Sequence, residues 1–217
     1  MRPSALTAIA GALGLAALAL APSAAHAAAP VPLADAVAAL PVADESRDGY
    51  DRSLFPHWTD QDGDGCNTRM EVLIAEATTA PEADERCRLT GGEWLSYYDD
   101  RVHTEARGLD IDHMVPLAEA WDSGASEWTT ERRRAYANDL DEEVALVAVT
   151  ARENRAKADK DPAQWLPPSE AALCRYVTEW TTVKTRWSLS VDQAEADVLA
   201  TAAEGCPDAV VDTVPAA

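Results

Sequence analysis

A run of six apolar residues, Val144 to Val149, leads directly into the pattern Thr150-x-x-Glu153. The run has the length and composition of a strand. A Thr followed three residues later by Glu is a capping box, which begins a helix by satisfying free backbone donors. Earlier in the chain, Leu109 and Ile111 alternate with polar neighbours, which predicts another short strand. The sequence therefore predicts a strand–loop–strand–helix unit.

The first residues have the pattern of an export signal. Arg2 is followed by an almost uncharged stretch that ends in Ala25-His26-Ala27, which predicts a secretory signal peptide over residues 1–27. A membrane anchor is the alternative, but Gly11, Gly14 and the Pro22-Ser23 break disfavour it. No later segment approaches the ~20 apolar residues that a membrane span needs. We therefore expect a secreted protein with no membrane partner.

The exported part divides into three segments. Residues 28–45 are rich in Ala and Pro and are expected to form a linker or a loosely docked arm. Residues 46–207 are long enough for one domain with a hydrophobic core. Residues 208–217 show no pattern and are expected to be disordered. Helices are predicted over about 70–77 and 129–137, from a Ser169 cap to Trp187, and from the capping box Ser190-x-x-Gln193 to Gly205.

The four cysteines all lie in the exported part, where an even number favours disulfides. The last two predicted helices are joined by two or three residues, so they must pack antiparallel. This places Cys174 near Cys206, which leaves Cys66 to pair with Cys87. A zinc site made of all four thiolates is the alternative, but the chain contains no C-x2-C pair.

The residues that carry chemistry lie in Asp110-Ile-Asp112-His113-Met-Val-Pro116-Leu117, at the end of the first predicted strand. Successive strand residues point to opposite sides. Asp112 can therefore hold a metal ion while His113 faces a substrate water. The strand–loop–strand–helix unit would bring Asn154, in the first turn of the helix, over the same strand end.

This set of groups suits phosphodiester hydrolysis, which needs a deprotonated water and neutralisation of charge on the leaving oxygen. His113 is the natural base because imidazole titrates near neutral pH. Asp112 and Asn154 supply hard oxygen ligands, which favour Mg²⁺ or Mn²⁺. The segment therefore predicts a metal-dependent hydrolase that acts on nucleic acid.

The motif D-H-x-V-P-L, a later Asn and N-R-x-K resemble the HNH nuclease family. The nearest branch is typified by the C-terminal domain of GmrSD-type restriction enzymes and includes many small secreted bacterial proteins. Further segments share the resemblance: Asp64–Arg69, Trp121–Ala125, Tyr136–Asp139, Asp161–Pro167 and Trp180–Trp187. Residues 47–206 are covered, and the layout is also similar to the HNH domain of RNA-guided CRISPR effectors. One departure is the long connection between the two strands, with a predicted helix inserted.

The resemblance implies an α+β fold, with a ββα-metal core inside a mostly helical single domain that ends in a helical hairpin. It implies that Asp112 and Asn154 bind one divalent ion and that His113 is the general base. Asn138 stands at the family's middle Asn, which usually fixes the loop between the strands. Lys157 belongs to the N-R-x-K motif, and we expect both Asn138 and Lys157 among the catalytic residues.

The segment Asp60–Glu71 fits the EF-hand calcium loop, with acids at positions 1, 3, 5 and 12 and Gly at position 6. The acids are Asp60, Asp62, Asp64 and Glu71. Position 8, normally apolar, is Asn67, and no clear helix precedes the loop. The segment is either a structural Ca²⁺ site or an acidic turn without metal.

The formal net charge of −20 argues against extensive contact with nucleic acid, whose binders usually carry a basic surface. The basic residues near the proposed site are Arg132, Arg133, Arg134, Arg152, Arg155, Lys157 and Lys160. Arg155 and Arg69 are candidate substrate contacts, although a salt bridge to the acidic loop is an equal alternative for Arg69. A local positive patch and a metal ion are enough for an enzyme.

These observations predict a secreted, monomeric endonuclease that cleaves DNA, with RNA as an open alternative. A different possibility is an extracellular calcium-binding module whose nuclease site has decayed. The presence of Asp112, His113 and Asn154 argues against decay. A third is an exported antibacterial nuclease toxin, but no delivery domain is visible in the sequence.

Overall fold

The computed structural model of the protein describes residues 29–216, so the predicted signal peptide lies outside the described residues. Within this range the fold mixes helices with four short two-stranded antiparallel sheets. The strands are β1 (Val31–Pro32), β2 (Glu82–Ala83), β3 (Leu89–Thr90), β4 (Trp94–Ser96), β5 (Arg101–His103), β6 (Leu109–His113), β7 (Leu146–Thr150) and β8 (Val210–Val211). The helices are α1 (Leu33–Ala39), α2 (Thr68–Ala75), α3 (Leu117–Asp122), α4 (Thr130–Ala137), α5 (Ala151–Lys157), α6 (Leu173–Trp187) and α7 (Gln193–Glu204).

The predicted strand–loop–strand–helix unit is present as β6, β7 and α5. The two strands pair antiparallel, with Asp112 opposite Val147 and His113 opposite Leu146. The connection between them contains α3 and α4, and α5 follows β7 without a loop and packs against both strands. A β–β–α unit therefore brings the end of β6 next to α5.

Helix α5 begins where the sequence predicts, but the predicted capping box does not form. Thr150 is the N-cap residue, yet its side chain accepts no hydrogen bond from the helix. Its hydroxyl instead donates to Asp99 Oδ1 at 2.8 Å and lies 2.8 Å from His103 Nε2. Glu153 pairs with Arg152. Tertiary contacts thus replace the local capping that the sequence indicates.

Strand β7 is buried on both faces, which explains its uninterrupted apolar sequence. Val147 and Val149 belong to the larger hydrophobic core, and Leu146 and Ala148 belong to a smaller one. The larger core includes the fully buried Trp180 of α6. The smaller core is completed by side chains of α2 and β4. The sheet that carries Asp112 and His113 is therefore held between two packed layers.

The segments predicted as a linker and as a disordered tail pair with each other instead. Val31 of β1 lies opposite Val211 of β8, and Leu33 of α1 is 1% exposed. The Nη1 of Arg186 donates to the main-chain oxygen of Val214 at 2.6 Å. We correct both predictions for the described residues, because these segments bury apolar side chains against α6 and α7.

Helices α6 and α7 form the predicted hairpin, and disulfides join Cys174 to Cys206 and Cys66 to Cys87, as predicted. The N-cap of α7 is Asp192, whose carboxylate accepts the main-chain N–H of Glu195, and not the predicted Ser190. No helix within residues 29–216 is both long and apolar enough to cross a membrane.

Candidate active site

A cavity of about 130 Å³ lies where the end of β6 meets α5. Three residues that the sequence places in an active site line it: Asp112 and His113 from β6, and Asn154 from α5. Arg52 and Asp159 line it too, although neither belongs to a recognised motif. The β–β–α unit thus brings together side chains that are 41 positions apart in the sequence.

The ring of His113 is oriented by a hydrogen bond between its Nε2 and the main-chain oxygen of Ala137, at 3.0 Å. A carbonyl oxygen only accepts, so Nε2 carries the proton and the neutral ring has its lone pair on Nδ1. Burial lowers the pKa of His113 to about 3, and the charge of Arg52 acts in the same direction. Trp58 packs beside the ring, with centroids 5.3 Å apart. His113 is therefore neutral at neutral pH, with Nδ1 as its basic atom.

The carboxylate of Asp112 is held through one of its oxygens. The hydroxyl of Tyr98 and the Nζ of Lys157 both donate to Oδ2, each at 2.6 Å. Burial raises the pKa of Asp112, whereas the charge of Lys157 and the two hydrogen bonds lower it. No hydrogen bond within residues 29–216 reaches Oδ1. That oxygen is left for a ligand or for solvent.

Lys157 holds Asp112 in place and is itself fully buried. Besides Asp112, its ammonium donates to the main-chain oxygens of His113 at 3.0 Å and Met114 at 2.9 Å. These three acceptors use all three N–H groups. Lys157 therefore positions Asp112 and the chain after β6, and all its donors are occupied; its predicted catalytic role stays a prediction.

Asn138 also has a positioning role, and its predicted part in catalysis stays a prediction. Its amide has four partners, at 2.8–3.0 Å: Pro56 O, Thr59 N, Thr68 Oγ1 and Arg134 O. These contacts occupy both donors and both acceptor positions of the amide. Asn138 therefore ties the end of α4 to the segment before α2. It thereby holds the neighbouring Ala137, whose carbonyl orients His113.

Asn154 is half-buried, and its side chain makes no hydrogen bond within the described part of the chain. Its amide oxygen and Asp112 Oδ1 are two hard oxygen donors at one cavity. Across residues 29–216, no group of three close His, Cys, Asp or Glu side chains includes Asp112. A site with few protein ligands suits Mg²⁺, which keeps several waters and binds through one or two carboxylates and substrate phosphates. The residues present fit such an ion.

The two predicted substrate-binding arginines do not line the cavity. Arg69 donates to the main-chain oxygen of Leu109 at 2.9 Å, so it supports the start of β6 and pairs with no carboxylate of the acidic loop. Arg155 is 75% exposed and its Nε lies 3.4 Å from Asp110 Oδ2. Arg133, from the basic run, is buried against main-chain oxygens and is structural.

The acidic loop Asp60–Glu71 gathers its carboxylates at the surface. Asp60, Asp62 and Asp64 have ligand oxygens within 4.8 Å of one another, and Glu71 has one within 4.8 Å of Asp64. Asp60 also accepts the main-chain N–H groups of Gly63 and Gly65, at 2.8 and 3.1 Å. Burial and the three aspartates raise the pKa of Glu71. Calcium binding by this loop stays a prediction.

Arg52 is the basic residue of the cavity that sequence reasoning missed. It begins a short 3-10 turn, Arg52–Leu54, in which the carboxylate of Asp51 accepts the main-chain N–H of Ser53 at 2.8 Å. The next residue, Phe55, is fully buried and anchors the turn in the larger core. No sequence motif indicates a site at Arg52, because no spacing rule relates residue 52 to residue 113.

Comparison with known proteins adds two findings. A family model described as "GmrSD restriction endonucleases, C-terminal domain" matches residues 65–202. A protein of the fungus Arthroderma benhamiae, named "Uncharacterized secreted protein", is 44% identical over 160 residues, which are 74% of this chain and 77% of that protein. Because this relative is fungal, a restriction of the group to bacteria is not supported. No solved structure matches the chain.

Proposed function

Because the chain belongs to the family of the GmrSD restriction endonuclease C-terminal domain, we propose that it is a metal-dependent nuclease of the HNH (ββα-metal) type. Its substrate is DNA, with RNA as a second nucleic acid to test. The observation that carries the proposal is the cavity at which Asp112, His113 and Asn154 meet. These side chains supply a base and two oxygen ligands for phosphodiester hydrolysis.

His113 acts as the general base through Nδ1. This nitrogen takes a proton from a water, whose oxygen attacks phosphorus while the bond to the leaving oxygen breaks. The leaving oxygen takes a proton from solvent, and the ring then returns its own proton to solvent. The hydrogen bond to Ala137 favours this role, because it keeps Nε2 protonated and fixes the plane of the ring.

Asp112 and Asn154 would hold the divalent ion, Mg²⁺ or Mn²⁺. When bound, the ion supplies positive charge at the scissile phosphate and at the leaving oxygen. Lys157 and Tyr98 keep Oδ2 of Asp112 in a fixed place, which leaves Oδ1 for the ion. Hard oxygen donors favour these ions over metals that prefer sulfur.

The protein is secreted, in agreement with its two disulfides and with the description of its fungal relative. We infer that the net charge of −20 is compatible with nuclease activity. Catalysis needs a local cation and an ion at the scissile phosphate, not a basic surface. We propose that the protein acts as a monomer and without a membrane partner.

Digestion of supercoiled plasmid by the purified secreted protein tests the proposal. We expect cleavage with Mg²⁺ or Mn²⁺ and none with EDTA. Assays with Ca²⁺ and Zn²⁺ identify the ion that supports cleavage. Assays with single-stranded DNA and RNA identify the substrate. The control is His113→Ala purified in parallel, because a contaminating nuclease would cleave equally in both samples.

The outcomes also separate the alternatives. A calcium-binding module with a decayed site would cleave no nucleic acid with any ion, and that result would refute the proposal. An antibacterial toxin would cleave, and it would also stop bacterial growth when produced inside the cell. The His113→Ala variant would then neither arrest growth nor cleave nucleic acid.

A further inference from the structure

We propose that Arg52 is a substrate-binding residue of this cavity, and that its guanidinium contacts a non-bridging oxygen of the scissile phosphate. The inference rests on the proposed nuclease function and adds a contact that no motif of the sequence indicates. Arg52 lines the same cavity as Asp112, His113 and Asn154.

Arg52 is the cationic side chain of the cavity lining. Lys157 lies behind Asp112, fully buried, with its three donors occupied. Arg155 and Arg69, which the sequence suggests for this task, do not line the cavity. Among the residues that the structure places around the site, Arg52 is therefore the one that can present positive charge to an anion inside it.

The charge of Arg52 is also available. It forms no ion pair within residues 29–216, and its charge opposes the burial that raises the pKa of the neighbouring Tyr50 phenol. Arg47, close by in sequence, shows the contrast: it pairs with Asp122 at 2.6 Å and with Asp159 at 3.7 Å. Arg52 is exposed, and its field reaches the imidazole of His113.

The backbone that carries Arg52 is held on both sides. Asp51 caps the turn, and the main-chain N–H of Phe55 bonds to the oxygen of Arg52 at 3.1 Å. The Nε of Arg133 donates to the oxygen of Leu54 at 3.1 Å. A fixed backbone and a long side chain allow the guanidinium to approach a substrate without rearrangement of the fold.

A guanidinium at this place has a definite chemical use. Asp112 and Asp159 both line the cavity and repel a phosphate, and the protein as a whole carries a charge of −20. Guanidinium groups present paired donors that match two phosphate oxygens, and they stay charged at any relevant pH. Arg52 thus offsets repulsion at the reacting phosphorus, where charge increases during attack.

Cleavage kinetics of a short DNA duplex test the inference with three variants of the secreted protein. Arg52→Gln removes the charge, Arg52→Lys keeps it without the paired donors, and Arg86→Gln changes an exposed arginine that does not line the cavity. We expect kcat/KM to fall on the order of 10²-fold for Arg52→Gln. The loss should be smaller for Arg52→Lys and absent for Arg86→Gln.

The salt dependence distinguishes a phosphate contact from a structural role. Each neutralised phosphate contributes about 0.9 to the slope of log affinity against log salt for duplex DNA. The slope of log kcat/KM against log salt should therefore be shallower by about one for Arg52→Gln. Arg52→Lys and Arg86→Gln should keep the slope of the parent. Equal melting temperatures of the four proteins show that the fold is unchanged.

The outcomes are separable from those of the proposed function. A parent protein that cleaves nucleic acid, with an Arg52→Gln variant of equal kcat/KM and equal salt slope, overturns the inference alone. A slower Arg52→Gln variant with an unchanged slope and a lower melting temperature assigns Arg52 a structural role and overturns it too. A parent that cleaves nothing with any ion overturns both.

Discussion

The imidazole of His113, on β6, donates its Nε2 proton to the main-chain oxygen of Ala137, at the end of α4, at 3.0 Å. The side chain of the next residue, Asn138, bonds to Pro56 O and Thr59 N before α2, to Thr68 Oγ1 at the start of α2, and to Arg134 O within α4. The tautomer and the plane of the proposed base therefore depend on three segments that are distant in sequence. In the proposed mechanism, contacts remote from the phosphate therefore influence the rate through this link.

We expect His113→Ala to lower cleavage on the order of 10²-fold or more, because the variant lacks the base. The proposed metal ligands Asp112 and Asn154 are unchanged, so metal affinity and melting temperature should stay close to those of the parent. Plasmid digestion and calorimetric titration with Mn²⁺ measure these quantities. His103→Gln is the control, since His103 contacts Thr150 outside the cavity. Near-normal turnover of His113→Ala would remove His113 from the mechanism.

Asn138→Ala should reduce both stability and rate. The change leaves buried donors and acceptors without partners, at a cost of about 1–3 kcal/mol for each group that water cannot reach. At temperatures well below melting, kcat should fall while KM changes little, because Ala137 no longer holds His113 in place. Urea unfolding and steady-state kinetics test the two effects. A destabilised variant with normal kcat would limit Asn138 to a role in folding.

Local pattern was sufficient to predict much of the fold around this site. The apolar run Val144–Val149 and the alternation at Leu109 and Ile111 each gave a strand close to the observed β7 and β6. The antiparallel hairpin gave both disulfides. These features depend on neighbours in sequence or on one short connection, so periodicity and loop length determine them.

The roles of individual polar residues were not predictable in the same way. Lys157 and Asn138 share a motif with the proposed catalytic residues, but only the three-dimensional contacts show that their hydrogen-bond donors are occupied. Arg52 shares no motif and lines the cavity from a turn that is followed by the buried Phe55. The low complexity of residues 28–45 also concealed α1, whose apolar face is short. Tertiary burial decides all these cases.

Metal binding should depend on Asn154 through its side-chain oxygen. Asn154→Ala removes this ligand and should weaken Mn²⁺ affinity and cleavage together, with partial recovery at high Mn²⁺. Asn154→Asp keeps an oxygen at the same position and should retain most of the affinity. Asp112→Ala is expected to resemble Asn154→Ala. Unchanged calorimetric affinity in both Ala variants would place the ion elsewhere.

The stability of the β6–β7 sheet should depend on pH through Glu76. Its Oε2 accepts the main-chain N–H of Ala148 at 2.8 Å, and burial raises the pKa of Glu76 from 4.5 to about 7. Because the pKa of Glu76 is higher in the folded state than in the unfolded state, its contribution to folding stability is complete below pH 4.5. This contribution is lost as the pH rises through 7. The shift corresponds to about 3 kcal/mol.

Glu76→Gln keeps an acceptor for Ala148 but cannot titrate. Its free energy of unfolding should therefore fall less than that of the parent between pH 5 and pH 8, as measured by urea unfolding. Glu82→Gln, at an exposed position, is the matched control and should follow the parent. Parallel pH profiles for the parent and Glu76→Gln would show that Glu76 is not the titrating group.

The loop Asp60–Glu71 should bind structural Ca²⁺ apart from the catalytic ion. Carboxylates at positions 1, 3, 5 and 12 suit Ca²⁺, and those of Asp60, Asp62 and Asp64 already lie within 4.8 Å of one another. An ion that binds only the folded state stabilises the protein by RT ln(1 + [L]/Kd), about 2.7 kcal/mol at a hundredfold excess over Kd.

With Mg²⁺ present throughout, millimolar Ca²⁺ should raise the melting temperature by several degrees. Asp62→Asn/Asp64→Asn should abolish the rise, while Asp141→Asn/Glu143→Gln, which removes the same charge elsewhere, should keep it. An unchanged melting curve with Ca²⁺ would identify the loop as an acidic turn.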